Sequence, residues 1–369
     1  MQMQIKYPDY NNCILGIPAA VLKHYGLETN QTPLPILERL FKNDYKNIVV
    51  MLFDGMGSAI LDKHCAESDF LMRNKAADIS SIFPPTTTAA LTSMETGLPP
   101  VSHAWLGWSL YFKELDKAVN LFRNDISGSE PEPAADYHVA HRYLPFTDIF
   151  TRINASGIDV KASRVSLFSE YQTQSIDEIC EITEKLCNDD GRQYIYTYWY
   201  EPDHCIHESG TSAEIVKTHL SEISEKVERL TEKLSDTLII LTTDHGMVDI
   251  EYDVNYAELG KYLLHPLSFG ARSKSIFVKP EYKNIFKEKF HELYADRYLL
   301  LSRAEILEMN LYGYGEPHEK LTEFIGDYVA VSADKYMLDD LTPESDIAAH
   351  SGLSEDEMTV PLIIIDKKK

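Results

Sequence analysis

Short apolar runs alternate with amphipathic stretches along most of the chain. Residues 47–53, NIVVMLF, are apolar after the first position and rich in β-branched side chains, the pattern of a buried strand in a parallel sheet. Asp54-Gly55-Met56-Gly57 breaks the run, and a helix is expected after it. Further strands are predicted at 78–83, 158–163 (IDVKAS), 194–200 (YIYTYWY), 237–243 (TLIILTT) and 359–366 (TVPLIIID). Between them, helices are predicted at about 88–96, near 146–156, and over 174–187 and 211–234, the last long and amphipathic. Such alternation indicates an α/β fold, a doubly wound and mostly parallel sheet with helices on both faces. From 251 to 345 the rhythm changes to strand SKSIFVK, helix NIFKEKFHELYAD, a helix at 302–310 and strand DYVAVSA. This segment predicts a small inserted α+β cap subdomain, leaving 1–250 and 346–369 as the core. The stretch 128–142, SGSEPEPAADYHVAH, reads as an exposed loop, either a plain connection or a lid.

Charge narrows the function. The formal net charge is −23 with a pI near 4.9. A face that holds duplex nucleic acid is normally basic, so that partner is excluded. A small anionic substrate is also repelled at long range unless positive charge is supplied locally, and bound metal ions are the natural source. No run of 18 apolar residues exists, so neither a membrane span nor a membrane partner is expected. The start, MQMQIKYPDYNN, does not read as a secretory signal. Five cysteines, an odd count without zinc-knuckle spacing, fit reduced thiols and a cytoplasmic protein. Of these, Cys205 lies among candidate ligands.

Open α/β sheets place ligands at the carboxyl ends of their strands. Metal-ligating residue types follow several of the predicted strands. Asp54 ends the first, where Asp before Gly is either a ligand or only a turn. PPTTTAALTSMETG carries Thr86, Thr87 and Thr88 into a helix; one of them is either a helix cap or a hydroxyl facing free N–H groups and a bound phosphate. In EPDHCIH, Asp203 and His207 are four apart, so one helical turn aims both at one ion while His204 points elsewhere. TTDHGM places Asp244 beside His245, as ligands in a turn that Gly246 permits or as a buried pair. His350 lies in AAHSG, with Asp346 four residues before it as a competing ligand.

Each motif is modest alone, but their order is specific. The chain resembles the alkaline phosphatase superfamily, most closely its nucleotide pyrophosphatase/phosphodiesterase-like branch, from about Asn47 to Ile250 and again from 346 to 366. PPTTTAALTSMETGLPPVSH is similar to the nucleophile segment of that branch. Aligning the tail Thr96, Gly97, Leu98, Pro100, Ser102 and His103 puts the nucleophile on Thr87. EPDHCIH, TTDHGM and AHSG…EMTVPLI are similar to the ligand segments. The resemblance implies two divalent ions, one held by Asp203, His207 and His350, the other by Asp54, Asp244, His245 and the Thr87 oxygen. Zinc is favoured by this donor set, with manganese or iron as alternatives. Three ligand carboxylates and two divalent ions leave about one positive charge to stabilise a Thr87 alkoxide. The implied activity is hydrolysis of a small phosphorylated substrate, a phosphodiester or nucleotide pyrophosphate, through a phospho-threonine.

One departure stands out. The branch places an asparagine about twenty-one residues after the nucleophile, and here that position is Trp108; Asn120 and Asn124 lie further on. A phosphomonoesterase or phosphonate hydrolase on the same scaffold is therefore the nearest alternative, with a catalytically silent metal-binding module behind it. A phosphomutase would need a serine nucleophile segment, and a sulfatase a Cys or Ser in place of Thr87. Arg272, within the insertion, is a candidate substrate contact, with a surface or strand-edge arginine as the alternative. Oligomeric state is not legible.

Overall fold

The computed structural model describes residues 5–129, 131–253, 256–339 and 346–368. Six strands form the core sheet, in the order Lys75–Ser80, Thr359–Asp366, Thr237–Thr242, Asn47–Phe53, Arg192–Trp199 and Val160–Val165. The last four are mutually parallel, and Thr359–Asp366 runs antiparallel to both its neighbours. Side chains of the central strand alternate between two cores. Ile48, Val50 and Leu52 join Val21, Ala90, Met94 and Phe150 on one face, from the helices Gly16–His24, Thr87–Thr96 and Ile149–Ala155. Val49, Met51 and Phe53 join Leu61, Ile179, Leu220 and Val227 on the other, from Ser58–His64, Ile176–Asn188 and Glu214–Lys233. A largely parallel α/β sheet with helices on both faces is thus the fold present.

The second strand is displaced from its expected place, running over Lys75–Ser80 rather than 78–83. Its ladder with Thr359–Asp366 ends at Ser80, and Ser81 donates its N–H to the Met358 carbonyl. Ile82 and Phe83 are apolar because the turn after the strand is buried, not because it is paired.

A second, seven-stranded sheet runs Tyr298–Ser302, Tyr328–Ser332, Ser273–Ile276, Ser268–Phe269, Ser109–Phe112, Lys117–Asn120 and Asp125–Ile126. Four of its strands come from 251–345 and three from 109–126, so this layer is shared between two distant stretches of chain. Residues 254–255 and 340–345 of the first stretch lie outside the described residues, as does residue 130 of the loop 128–142. The rest of that loop is partly docked: Ala134, Val139 and Ala140 are buried, and a short helix covers Val139–Tyr143.

Arg272 does not fit the substrate-contact role expected of it. It is 1% exposed, and its Nε and Nη2 donate to Glu357 at 2.8 and 3.2 Å. The guanidinium also donates to the carbonyls of Tyr336, at 3.0 Å, and Asp334. These bonds occupy four of its five N–H donors inside the protein. Glu357 in turn accepts the Gly352 N–H at 2.7 Å, two residues after His350. The pair therefore ties the second sheet to the segment carrying His350. Arg272→Ala leaves a buried carboxylate without its cation, and we expect a loss of about 3–5 kcal/mol of unfolding free energy, read from a guanidinium titration. An unchanged midpoint would show that the pair does not hold these parts together.

Candidate active site

The strand order decides which side chains meet. Thr237–Thr242, Asn47–Phe53 and Arg192–Trp199 are adjacent and parallel, so their carboxyl ends deliver Asp244 with His245, Asp54, and Asp203 to one edge. Because Thr359–Asp366 is antiparallel, the residues that precede it, including His350, arrive at the same edge. The helix Thr87–Thr96 starts there too. Two glycines permit the close approach. Gly55 has φ +70°, and a Cβ on it would lie 2.8 Å from the Asp203 Cα. A Cβ on Gly246 would lie 1.9 Å from the Asp356 carbonyl oxygen, so Gly246 answers a packing need rather than a special dihedral.

Ligand atoms of Asp203, His207 and His350 lie within 4.8 Å of one another, and so do those of Asp54, Asp203 and His245. Asp203 belongs to both groups. The His245 Nε2 is 3.2 Å from Asp244 Oδ2, 3.4 Å from Asp54 Oδ1 and 3.3 Å from Thr87 Oγ1. His207 Nε2 is 3.5 Å from Asp203 Oδ2, and His350 Nε2 is 3.9 Å from Asp203 Oδ1. The His245 and His350 rings stack at 3.7 Å and 14°.

Hydrogen bonds from outside the cluster fix which atoms remain open. His245 donates Nδ1–H to the Gly246 carbonyl at 3.2 Å, and His350 donates Nδ1–H to the Pro85 carbonyl at 3.0 Å. A carbonyl only accepts, so each ring keeps its Nε2 lone pair for the cluster. Asp244 Oδ1 accepts from the N–H groups of Gly55 and His245 and from the Thr243 hydroxyl. Asp54 Oδ2 accepts from the Tyr198 hydroxyl at 2.5 Å. Three buried oxygens are left without hydrogen-bond partners: Asp54 Oδ1, Asp203 Oδ1 and Asp244 Oδ2. Buried polar atoms are rarely left so, and an unpartnered carboxylate oxygen calls for a cation.

Without an ion the cluster holds its charge poorly. Burial, then the Asp244 and Asp203 carboxylates, push Asp54 well above the usual carboxylate range. Burial raises Asp203 to about 6, opposed by the neighbouring His207, and also raises Asp244. Burial drives His245 down to about 3 and His350 well below its ordinary value. His207 differs: burial lowers it, but the Asp203 and Asp346 carboxylates outweigh that and hold it up at about 9.

Among the three threonines only Thr87 reaches this group. It is 7% exposed, whereas Thr86 and Thr88 are fully buried. Thr86 is the N-cap residue, but its side chain makes no capping hydrogen bond. The first intrahelical bond runs from Ala90 N–H to the Thr86 carbonyl, so the N–H groups of Thr87, Thr88 and Ala89 have no partner within the helix.

The model for type I phosphodiesterase / nucleotide pyrophosphatase matches residues 48–342, most of the chain. The chain belongs to that family. It is a hydrolase of the phosphodiesterase/nucleotide pyrophosphatase kind, in a family that depends on metal. A search of curated sequences returns no match. Among solved structures the chain is similar to murine ectonucleotide pyrophosphatase/phosphodiesterase 5, with a TM-score of 0.64, 16% identity and coverage of 87% of this chain and 88% of that one. An inactive threonine-to-alanine variant of the murine protein, in complex with AMP, gives 0.63, 18%, 86% and 87%. Phosphonoacetate hydrolase from Sinorhizobium meliloti 1021, in complex with phosphonoformate, gives 0.62, 16%, 86% and 89%. At these identities the likeness is one of fold.

In this phosphodiesterase-family member, Asp54, Thr87, Asp203, His207, Asp244, His245 and His350, all proposed from the sequence, come together. His204 turns outward, 62% exposed at its side chain. Both asparagines downstream of Trp108 have partners elsewhere. Asn120 donates to Asp125 at 2.7 Å, and Asn124 is bonded at both ends, to the Tyr137 carbonyl and the Val139 N–H. Asp346, a competing ligand in the sequence, stands behind His207 with Oδ2 3.2 Å from Nδ1. Sequence reasoning missed Tyr198 and Thr243. The alternation of YIYTYWY held the only hint of the first, and nothing marked the second.

His207 carries a proton at pH 7, since it is held up at about 9. It must shed that proton to act as a ligand. Loading metal-free protein with zinc at pH 7 is therefore expected to release at least one proton, seen calorimetrically as a heat that depends on buffer ionisation enthalpy. The His207 share fades as pH rises through about 9. Heats independent of buffer at pH 7 would show that no protonated His207 is recruited as a ligand.

Proposed function

We propose that this chain hydrolyses a small phosphodiester or nucleotide pyrophosphate through a phospho-threonine on Thr87, at a centre of two divalent ions, zinc first among the candidates. The observation that carries the reading is Thr87 Oγ1 at 3.3 Å from His245 Nε2, beside the unpartnered oxygens of Asp54 and Asp244. The donor set fits two ions. Asp203, His207 and His350 would hold one, and Asp54, Asp244, His245 and Thr87 the other. When bound, the ions supply Lewis acidity that polarises the phosphoryl group and makes a nearby hydroxyl easier to deprotonate.

The chain's own part follows from the geometry. Thr87 Oγ1 loses its proton to solvent and attacks phosphorus; its O–P bond forms as the bond to the leaving oxygen breaks. The unpaired N–H groups of the first helical turn are donors for the phosphate oxygens, and the dipole of the ten-residue helix favours negative charge there. Water then cleaves the threonine ester, and a proton returns to Oγ1. The inactivity of the threonine-to-alanine variant among the fold neighbours supports the role of the hydroxyl. Residues 251–345, joined by 109–126 in the second sheet, are read as a cap beside the His350 segment: a Cβ on Gly270 would lie 2.1 Å from Ser351 Oγ.

A second reading has its own observation. With Trp108 at the asparagine position and Asn120 and Asn124 tied elsewhere, a phosphomonoester or phosphonate is the rival substrate, and a phosphonoacetate hydrolase is among the fold neighbours.

Assays of nitrophenyl phosphate, nitrophenyl thymidine phosphate and a phosphonate separate these substrates. On the best of them, Thr87→Ala is expected to lose on the order of a thousandfold or more in kcat. Thr87→Ser keeps part of it, and Thr86→Ala and Thr88→Ala are milder. Turnover by Thr87→Ala within about tenfold of the parent would end the covalent reading and favour direct attack by water.

A further inference from the structure

A second group of donors lies on the other side of the helix Asp203–Ser209. Ligand atoms of Glu201, Cys205 and His219 lie within 4.8 Å of one another. Glu201 stands in the turn before that helix, Cys205 within it, and His219 on the neighbouring helix Glu214–Lys233. Cys205 is two residues from both Asp203 and His207, about 200° around a helix of 3.6 residues per turn, so it faces away from them. Glu201 and Cys205 are 7% and 8% exposed, and His219 is half-buried.

We propose that Glu201, Cys205 and His219 form a binding site for a divalent cation of the zinc class, separate from the centre at Thr87. The donor chemistry carries the first part of the argument. One thiolate, one imidazole and one carboxylate are ordinary zinc ligands, and a mixed S, N and O set disfavours magnesium and calcium. Geometry carries the second. Three atoms no more than 4.8 Å apart share a point within about 2.8 Å of each (4.8 Å divided by √3). Contraction by about half an ångström reaches the usual zinc distances of about 2.0–2.3 Å.

Charge carries the third part. A buried carboxylate and a thiolate bring −2, a neutral imidazole adds nothing, and a divalent cation closes the sum at zero. A neutral cluster is a far cheaper occupant of a buried niche than a lone carboxylate. The Cys205 thiol donates to the Pro202 carbonyl at 3.2 Å; on binding, its proton goes to solvent as the sulfur–metal bond forms. Glu201 Oε2 accepts the Cys205 N–H at 3.0 Å and keeps lone pairs for an ion. The His219 ring makes no hydrogen bond or ion pair among the described residues, so ligation displaces nothing. With three protein ligands, a fourth position would be left to solvent. The ion would pin the helix carrying Asp203 and His207 to its neighbour.

Cobalt substitution tests this in the full-length protein. The centre at Thr87 has only oxygen and nitrogen donors, so sulfur-to-cobalt charge transfer in the near ultraviolet reports the new site alone. The parent loaded with cobalt(II) is expected to show that absorption. Cys205→Ser should lose it together with one equivalent of bound metal per chain. His219→Gln, on a half-exposed helical face, should keep its fold while binding this cobalt at least about tenfold more weakly, since even loss of an outer-shell partner costs that much. The proposal fails if the saturated parent shows no thiolate absorption or if the absorption survives Cys205→Ser. It fails equally if His219→Gln binds cobalt as tightly as the parent, a test that stands even where Cys205→Ser does not fold.

Discussion

Three carboxylates share one buried edge of this sheet, and the rest of the site is arranged around that fact. Taking a carboxylate out of water costs several kcal/mol, and placing a second beside it costs more. Asp54 and Asp244 are 2% and 0% exposed, yet each keeps one oxygen with no hydrogen-bond donor. The strands that deliver them are held by apolar contacts on both faces, so the acids cannot move apart without opening the core. The fold thus stores an electrostatic deficit that a bound cation would relieve. Two backbone carbonyls, of Pro85 and Gly246, set both stacked imidazoles to the tautomer that presents Nε2 inward.

Much of this was legible in the sequence because burial on both faces leaves a continuous apolar signature. NIVVMLF and TLIILTT could hardly be anything but inner strands, and the acids that follow them had to lie at one edge. The choice of Thr87 over its neighbours came from resemblance, and in the fold its hydroxyl alone is close to His245. The second sheet was hidden for physical reasons. Its strands are two to five residues long, too short for a period to register, and its partners come from 109–126 and 268–332. Arg272 misled because a charged residue in an insertion suggests a surface. Only the fold reveals Glu357, from the far end of the chain, buried against it.

Asp346 shows the limit of spacing arguments. Two Asp-x-x-x-His patterns occur in this sequence, at Asp203–His207 and Asp346–His350, and spacing cannot rank them. The first lies within one helix, where four residues make one turn. In the second, a short bridge at Ala348–Ala349 extends the backbone and sends the two side chains apart. Asp346 then backs His207 instead of serving as the partner of His350.

The two donor groups on either side of the helix Asp203–Ser209 differ most in how their charges close. In the proposed centre Asp54, Asp203 and Asp244 would contribute −3 against +4 from two divalent ions, leaving an excess of one positive charge. Glu201 and Cys205 contribute −2 against +2, which leaves none. A centre that must gather an anion from solvent, in a chain of net charge −23, needs that excess, because the far field repels the substrate until it reaches the site. A centre that only holds two helices together is better neutral, since a residual charge in a buried niche would weaken the packing it serves. One short helix can therefore carry both, provided its ligands are spaced to face opposite ways, as Asp203 and His207 are relative to Cys205.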